Sequence, residues 1–464
     1  MTERNVMRPP QSFGSKVLIT YSPTLDVCGI GSFTRTLYGQ LERKGWVATV
    51  ALAWGQVFND PRRFEALNAG IRTVRMDGRT GSEEGRIKAI ARAIEKVNPS
   101  LVIHNNLNSG FEAVRRLRSK GMFFPLVVLN HGALPEHAAC LLANQDVIDH
   151  VVCVNRLSSL VMSSVADGFP PERIHYIPNA VPGPTSASKR STNQIKRVGY
   201  AGRLVEDKGF QDIFPFFRSL AKLDSFIELW VAGEGPLAAE LKALGEEFPG
   251  RVKYLGNVTG DTLYRDFYPA IDILIHFSSS EGWSLTMGEA MANGVVPVTS
   301  AFRGVYTEAL LREGYNALLF PIGDSDSASR IVFELLRNEE KLNEMSRRAS
   351  EVILTEFTLE HFGDNWSSEL SRFVEDYSTS RQSQKQNIYI KKSNRESYKE
   401  MARQLLRRRF HHQFATEEWP TYQSIDKQVV IKVEEKMNEL EQKNLLSVGI
   451  NQACPERMIQ AVNV

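Results

Sequence analysis

The sequence is poor in cysteine, in net charge and in long apolar runs, and each shortage excludes a class of protein. Its four cysteines are Cys28, Cys140, Cys153 and Cys454. They show no CxxC spacing and no histidines at metal-ligand intervals, so the sequence predicts neither a disulfide framework nor a zinc site. The formal net charge of +2 over 464 residues argues against a nucleic-acid-binding protein and against an acidic disordered chain.

The sequence also predicts no membrane-spanning helix and no signal peptide. No run approaches the roughly 18 apolar residues of a transmembrane helix, and residues 1–15 lack the apolar stretch of a signal peptide. We therefore expect a cytoplasmic protein that acts at a membrane, if at all, from its surface. With 42% hydrophobic and 24% charged residues, the chain has the composition and length of two or three globular domains.

From Lys16 onward, short β-rich runs alternate with helical patterns. The predicted strands are KVLIT, VATVALA, IRTVRM, LVIHN, PLVVLN, HVVCVN and RIHYIP, and then KRVGYAG, FIELWVAG, VKYLG, IDILIHF, VVPVTS and NALLF. This alternation is typical of α/β proteins with doubly wound parallel sheets. Two such Rossmann-like domains facing a cleft bind ligands at the carboxyl ends of their strands. The predicted segments are a tail (1–15), a first domain (16–180), a linker (181–196), a second domain (197–357), a helix of the core (358–377) and a mainly α-helical extension (378–464).

The extension carries a local basic segment. Residues 389–410 contain eight lysines and arginines against two glutamates, and Tyr398, Met401, Leu405 and Phe410 approximate one face of a helix. Two interpretations remain open, a solvated helical face and an anionic membrane surface bound peripherally on the inner side. Nucleic-acid binding is not expected, since no recognition motif is present. A second amphipathic helix is indicated by Val429, Val430, Val433, Met437 and Leu440.

In the second domain, the stretch GRLVEDKGF places two cations after a strand. Gly202 ends the strand, Arg203 follows it, and Lys208 precedes a predicted helix start. Cations at the carboxyl edge of a parallel sheet suit an anionic ligand. The alternative is that Arg203 pairs with Glu206 or Asp207 and that Lys208 is solvated.

The stretch SSSEGWSLTMGEAMANGVVPVTS, residues 278–300, adds two carboxylates to that edge. Glu281 lies in a predicted loop, and Glu289 lies in the helix that follows. The amides around Ser284, Leu285 and Thr286 form a helix N-terminus, which attracts phosphate. Carboxylates accept hydrogen bonds from vicinal hydroxyls. A nucleoside diphosphate sugar presents ribose hydroxyls, phosphates and sugar hydroxyls together.

These motifs, followed in order by GYNALLFPIGD and preceded by VAGEGPL and VKYLGNV, resemble the donor-binding half of glycosyltransferase family 4. The resemblance covers roughly residues 16–375 and is strongest over 197–325, where it includes the E-x7-E pattern. It implies the GT-B fold and retention of anomeric configuration.

The resemblance also implies roles for individual residues. Arg203 and Lys208, beside Gly202, would hold the donor diphosphate. Glu289 would bind the ribose, and Glu281 would contact the transferred sugar. The amides of 283–286, from Trp283 to Thr286, would help to hold sugar and phosphate. Trp283-Ser284 replaces the usual Phe-Gly, which leaves the identity of the sugar unreadable.

The first domain offers further candidates. Gly31 opens a helix after the first strand, but Thr34 occupies the third glycine position of a dinucleotide fingerprint, so NAD binding is not predicted. The resemblance implies that Gly31 approaches the donor and that His131, just past a buried strand, lies near the transferred sugar. A tight turn and a structural histidine are the alternatives. His104 and Asn179 occupy comparable strand-end or junction positions.

We expect no catalytic metal and no cofactor. Asp324 and Asp326 have the form of a metal-binding DxD, but they open a predicted helix, where Asp324 serves as N-cap. The expected partners are a nucleotide sugar and a carbohydrate or lipid-linked acceptor, in cell-surface polysaccharide or glycolipid biosynthesis. Two other hypotheses remain: a GT-B epimerase or phosphorylase, and a non-catalytic sugar-nucleotide-binding scaffold.

Overall fold

The computed structural model describes most of the chain. The described residues are 14–23, 29–105, 107–165, 168–184, 196–258, 260–308, 310–381, 394–406, 418–421 and 425–447. They divide into two compact units. The first comprises residues up to Pro178 together with Glu360–Met437, and the second comprises Asn179–Leu359 together with the residues from Asn438 onward. Most of the predicted tail 1–15, most of the linker 181–196, and Phe410 lie outside the described residues.

The first unit is built on a parallel sheet. Within its described residues the sheet has seven strands in the order β3-β2-β1-β4-β5-β6-β7. The strands are β1 (Lys16–Tyr21), β2 (Val47–Trp54), β3 (Thr73–Asp77), β4 (Leu101–His104), β5 (Leu126–Asn130), β6 (His150–Cys153) and β7 (Ile174–Tyr176). The intervening helices are α1 (Gly29–Arg43), α2 (Pro61–Leu67), α3 (Glu83–Val97), α4 (Asn108–Ser119), α5 (Pro135–Leu142) and α6 (Arg156–Ser164). The order changes direction between β1 and β4, which is the switch point where open α/β sheets bind ligands.

The second unit repeats this design. Its described residues form a parallel sheet of six strands in the order β10-β9-β8-β11-β12-β13. The strands are β8 (Lys196–Ala201), β9 (Ile227–Ala232), β10 (Val252–Gly256), β11 (Ile273–His276), β12 (Val296–Ser300) and β13 (Leu318–Phe320). The helices are α7 (Ile213–Leu223), α8 (Ala238–Glu247), α9 (Gly260–Thr262), α10 (Leu285–Ala292), α11 (Ser325–Arg337) and α12 (Glu339–Glu356).

Three helices follow, α13 (Leu359–Arg381), α14 (Asn394–Leu405) and α15 (Lys427–Ser447). The prediction of two doubly wound parallel sheets followed by a helical extension is therefore confirmed. In the extension, α15 buries Val433 and Met437 completely, as its apolar periodicity predicts. On α14, by contrast, Tyr398, Met401 and Leu405 are 64%, 51% and 77% exposed.

The central strands are buried over their whole length, and each begins with a run of apolar residues. All four residues of β11 and all five of β12 are buried, as is typical of strands covered by helices on both faces. Helix α7 packs on this sheet through Ile213, Phe216, Phe217 and Leu220, which recur at the spacing of one helix face. The sheet thus forms a rigid support for the loops at its carboxyl edge.

Candidate functional site

The loop after β8 differs from the sequence prediction in where its helix begins. Lys208 ends a short 3-10 turn, and the α-helix starts only at Ile213. The interruption lies at Gly209, which has φ +64°, and a Cβ placed there would lie 2.3 Å from the carbonyl oxygen of Phe277. The loop therefore packs directly on the backbone that follows β11, which requires glycine. This contact brings Lys208 next to the loop that carries Glu281.

Glu281 is the centre of a buried charged cluster. Its Oε1 lies 2.8 Å from Lys208 Nζ and 3.3 Å from His276 Nε2. The Glu281 side chain is 11% exposed, and the Lys208 side chain is 27% exposed. His276 is the last residue of β11, and Lys208 follows β8, so neighbouring strand ends supply both partners. The structure thus joins two residues that lie 73 positions apart in the sequence.

This cluster keeps Glu281 ionised. Burial alone would raise the pKa of the carboxyl group, but the charge of Lys208 and the hydrogen bond from His276 outweigh burial and hold the pKa well below its usual range. The tyrosine hydroxyl of Tyr200, which donates to the carbonyl of Arg203, has its pKa raised by burial and by the negative charge of Glu281. The site therefore presents a fixed carboxylate at neutral pH.

The second predicted glutamate is held separately. Glu289 lies on α10, and its Oε2 accepts a hydrogen bond of 2.7 Å from the hydroxyl of Tyr268. Burial, followed by the charge of Glu289, raises the pKa of Tyr268 well above its ordinary value, so the hydroxyl stays protonated and donating. The two glutamates of the E-x7-E pattern are thus anchored by different partners.

Helix α10 begins next to Glu281. Ser284 is its N-cap residue, with no side-chain capping hydrogen bond, and Leu285 and Thr286 form its first turn. An N-terminus without a side-chain cap leaves amide donors for other partners. Leu285 and Thr286 are half-buried.

The side chain of Trp283 packs inward. Trp283 is 4% exposed, and its ring centroid lies 5.4 Å from that of Phe357. A Cβ on Gly288 would lie 2.6 Å from the indole, so the ring packs against α10 itself. The carbonyl of Trp283 accepts a hydrogen bond of 3.4 Å from Asn179 Nδ2. Trp283 and Asn179 together brace the start of the helix.

Arg203 lies at the exposed side of this loop. Its NH2 is 2.9 Å from Asp207 Oδ2, and both side chains are largely exposed. This is the pairing named above as the alternative to anion binding, and an exposed pair of this kind contributes little to stability. Gly202, just before Arg203, is approached closely by the next loop, because a Cβ on Gly233 would lie 1.8 Å from the carbonyl oxygen of Gly202.

The two aspartates of the DxD pattern, Asp324 and Asp326, accept hydrogen bonds from nearby groups of the protein. Asp324 Oδ1 accepts a hydrogen bond of 2.9 Å from the amide of Ser327, which makes Asp324 the N-cap of α11 as predicted. Asp326 accepts one of 2.7 Å from Ser219 Oγ. Among the described residues, no group of three or more histidine, cysteine, aspartate or glutamate side chains is arranged to hold a metal ion.

In the first unit, His131 ends a chain of buried hydrogen bonds. His104 Nε2 lies 2.8 Å from the carbonyl of Leu107, and its Nδ1 lies 2.9 Å from Thr20 Oγ1. Asn105 Nδ2 donates to the carbonyl of Thr20, and Asn105 Oδ1 lies 2.7 Å from His131 Nε2. Since each carbonyl oxygen must accept, these contacts fix the orientation of every group.

The chain defines the state of His131. Because Asn105 presents its oxygen, His131 donates from Nε2 and keeps Nδ1 as its acceptor nitrogen. Burial, aided by the charge of His137, lowers the pKa of His131 to about 3, so the ring is neutral. Its ring centroid lies 4.9 Å from that of Phe33, two residues after the buried Gly31 at the start of α1. The structure therefore brings the start of α1 at Gly31 close to His131. His104 is connected to His131 through the hydrogen bonds of Thr20 and Asn105.

Sequence reasoning missed three residues of these clusters, namely His276, Tyr268 and Asn105. His276 and Asn105 both stand at the carboxyl end of an apolar strand, in IDILIHF and LVIHN. A polar residue at the carboxyl end of an apolar strand could have been predicted to lie in the site, because open α/β sheets bind ligands at that edge. Tyr268 lies in a short helical connection before β11, and no spacing rule relates it to Glu289.

The fold and these clusters can be compared with known proteins. Residues 185–352 match the model of the family described as glycosyl transferases group 1. Among solved structures, Anabaena HepE in complex with UDP aligns with a TM-score of 0.63 at 20% identity, covering 77% of this chain and 100% of that chain. The chain has the GT-B fold. Sucrose-phosphate synthase from Thermosynechococcus elongatus shares this GT-B fold with a TM-score of 0.64 at 15% identity, over 78% of this chain and 100% of the other.

A curated relative supports the same assignment at lower coverage. The lipopolysaccharide core biosynthesis glycosyltransferase LpsE of Rhizobium meliloti (strain 1021) is 28% identical over 165 residues. The match covers 35% of this chain and 46% of LpsE, so the chain spans about half the length of that relative. The family model and LpsE thus make part of this chain similar to glycosyltransferases.

The buried cluster predicts an unusual pH dependence for the variant Lys208→Met. In the parent, the stabilisation from Glu281 is present above its unfolded pKa of about 4.3 and is lost only as the pH falls toward the depressed folded value. Without the cation, burial raises the folded pKa instead, so the carboxylate destabilises the fold at neutral pH and less so once protonated. We expect a loss of about 3 kcal/mol at pH 7 and a smaller loss at pH 4.

The measurement is the thermal midpoint of the full chain, by circular dichroism, at pH 4, 5.5 and 7. Lys222→Met, which removes an exposed lysine near the end of α7, is the matched control and should change the midpoint little at any pH. An equal loss at all three values in Lys208→Met would show that Lys208 does not set the ionisation of Glu281.

Proposed function

We propose that this chain is a retaining, metal-independent glycosyltransferase of family 4 that transfers a sugar from a nucleoside diphosphate sugar to an acceptor hydroxyl. The observation that carries the proposal is the cluster of Glu281, Lys208 and His276 beside the start of α10. It puts a fixed anion, a cation and amide donors at the carboxyl edge of one sheet. Those are the groups that a sugar, a diphosphate and their linkage require.

Each part of the donor would bind a different group of the site. Lys208, with Arg203, would balance the diphosphate, and Arg203 would exchange its exposed Asp207 partner for phosphate. Both contacts to Glu281 use Oε1, so we assign Oε2 to accept a hydroxyl of the transferred sugar. Glu289 would accept from the ribose, with Tyr268 fixing its other oxygen. In the first unit, we assign His131 Nδ1 to accept a hydrogen bond from a sugar hydroxyl.

Catalysis would then be electrostatic. Cleavage of the glycosyl bond builds negative charge on the bridging oxygen of the diphosphate, and preorganised cations and amides stabilise that charge. A neutral His131 with a pKa of about 3 is a hydrogen-bonding group rather than a base at neutral pH. We therefore favour a front-face path in which the leaving phosphate takes the proton of the acceptor hydroxyl, and retention follows from attack on the face that the phosphate leaves.

Turnover should depend on the two cations. We expect Lys208→Ala or Arg203→Ala to lower turnover roughly 100- to 1000-fold, as removal of one transition-state donor does. The readout is nucleoside diphosphate released from a panel of nucleotide sugars, with and without cell-envelope lipid extract. UDP-glucose comes first in the panel because Anabaena HepE has been solved with it. Arg218→Ala, which removes an exposed arginine paired with Glu247 on the same unit, is the control.

The panel also separates the competing hypotheses. Release that requires acceptor, and that falls in the Lys208→Ala variant but not in the Arg218→Ala variant, supports the transferase. Donor binding without release would favour the scaffold, and conversion of the sugar without release would favour the epimerase. Normal turnover in Lys208→Ala would contradict the assigned role of this residue.

We further propose that α14 docks on an anionic membrane surface, which suits a lipid-linked acceptor. The helix buries Glu400 completely and exposes Tyr398, Met401, Leu405 and the following Leu406. An exposed apolar face within the basic segment 389–410 has the character of a peripheral membrane helix. Among the described residues, no helix is long and apolar enough to cross a membrane.

Vesicle sedimentation tests this surface. The double variant Met401→Glu with Leu405→Glu should bind vesicles of anionic lipid several-fold less than the parent. It removes the apolar side chains that would enter the membrane, and it adds negative charge, which the anionic lipid repels. Ile431→Glu changes an exposed apolar residue of α15 instead and should bind like the parent. If the parent partitions equally onto anionic and neutral vesicles, the proposal is wrong.

A further inference from the structure

The segment Glu418–Thr421 of the C-terminal extension lies against the loops at the carboxyl edge of the first sheet. Glu418 contacts the loop after β2, and Trp419 packs on Gly78, just after β3. The carbonyl of Pro420 accepts a hydrogen bond of 2.9 Å from the amide of Asn108 at the start of α4. The carbonyl of Thr421 lies 3.9 Å from Cys140 Sγ on α5.

The segment Glu418–Thr421 crosses the point at which the strand order of the first sheet changes direction. The loops contacted follow β2 and β3 on one side of the β1–β4 boundary and β4 and β5 on the other. That boundary is the switch point at which open α/β sheets bind their ligands. The segment therefore occupies the ligand-binding edge of the first unit.

Glu418 is held there as a bound anion. Its Oε1 accepts from the amides of Gln56 and Val57 at 2.5 and 2.9 Å, and its Oε2 accepts from those of Phe58 and Asn59 at 2.7 and 3.1 Å. Successive backbone amides that converge on one point form an anion-binding concavity. We call the amides of residues 56–59 the anion seat. Glu418 is 6% exposed, so the seat is fully engaged by this carboxylate.

The seat requires a glycine beside it. A Cβ on Gly55 would lie 2.0 Å from Glu418 Oε2, so any larger residue would fill the space that the anion occupies. The loop is tied to its neighbour, because Gln56 Nε2 donates to the carbonyl of Arg79 at 3.0 Å. Asn59 Nδ2 donates to Ser22 Oγ, just after β1, at 2.7 Å. The amides are therefore held in place by three strand-end loops.

A buried cation lies behind the same segment. Arg86 is 8% exposed, and its Nε makes no hydrogen bond to any residue that the structure describes. Both its side chain and the indole of Trp419 flank Gly78. Burial lowers the pKa of Arg86, and the charge of Glu83 offsets this effect only in part. Trp419 is 2% exposed, and its indole and the stem of the Arg86 side chain lie side by side at Gly78.

We propose that the anion seat binds an acidic group of the acceptor, a carboxylate or a phosphate on a saccharide, and that Glu418 is a tethered stand-in occupying the seat until the acceptor displaces it. Displacement of Glu418 and Trp419 uncovers four amides and Arg86 together, which suit a charged sugar. The acceptor assignment rests on the proposed transferase function, whereas anion binding by the seat does not.

The first experiment titrates inorganic phosphate and acetate, at constant ionic strength, against the thermal midpoint of the full chain. Glu418→Ala empties the seat, so phosphate should raise its midpoint, with a half-saturating concentration about tenfold lower than in the parent. Glu418→Gln keeps the shape but turns an NH2 group toward two amide donors, so phosphate should displace it more easily than it displaces glutamate.

Two control variants accompany the titration. Adding Gly55→Ala to Glu418→Ala should abolish the response. Glu435→Ala, at an exposed glutamate of α15, should respond like the parent.

The second experiment compares an acidic acceptor with its neutral analogue. Glu418→Ala should lower KM for the acidic acceptor several-fold and leave KM for the neutral one unchanged. Absence of any phosphate response in both Glu418 variants, or failure of both to fold, would overturn the anion seat as a displaceable site. Equal changes in KM for both acceptors would overturn the acceptor assignment. Absence of transfer with every donor would count against the proposed function, while the phosphate titration would still report on the seat.

Discussion

The candidate site depends on one carboxylate that is buried yet charged. Glu281 remains ionised because Lys208 and His276 reach its Oε1 from the ends of neighbouring strands. Lys208 comes close because Gly209, which lacks a side chain, lets the loop after β8 pack on the backbone after β11. This close packing next to Lys208 thus helps to set the ionisation of Glu281.

The same architectural rule places functional groups in both units. His276, Asn105 and His131 all stand at or just after the carboxyl ends of apolar strands. The strands supply rigidity through burial, and the residues at their carboxyl ends lie at the edge of the sheet where ligands bind. In the first unit this produces a fixed hydrogen-bond chain that ends in a neutral imidazole. In the second unit it produces a charged cluster, so the two sheets offer different chemistry from one topology.

Much of the fold was predictable because short β-rich runs alternate with segments that keep the 3.6-residue period of a helix. The helix carrying Glu289 was predicted to begin around Ser284, and it begins at Leu285. Local sequence could not predict the partners of Glu281, because Lys208 lies 73 residues away and His276 looks like a strand residue. It also could not show that Trp283 packs inward on Gly288 and against Phe357, which follows α12 more than 70 residues later. Among the side chains of α14 that the structure describes, from Tyr398 onward, the buried one is Glu400, which no hydrophobic pattern predicts.

The most direct test of the central claim is a crystal structure of the full chain with an unreactive nucleoside diphosphate sugar. We predict the diphosphate within about 3 Å of Lys208 Nζ and of the first amides of α10. The ribose should lie on Glu289, and a sugar hydroxyl should lie on Glu281. A donor bound elsewhere, or a donor in this unit that contacts neither glutamate, would contradict the account.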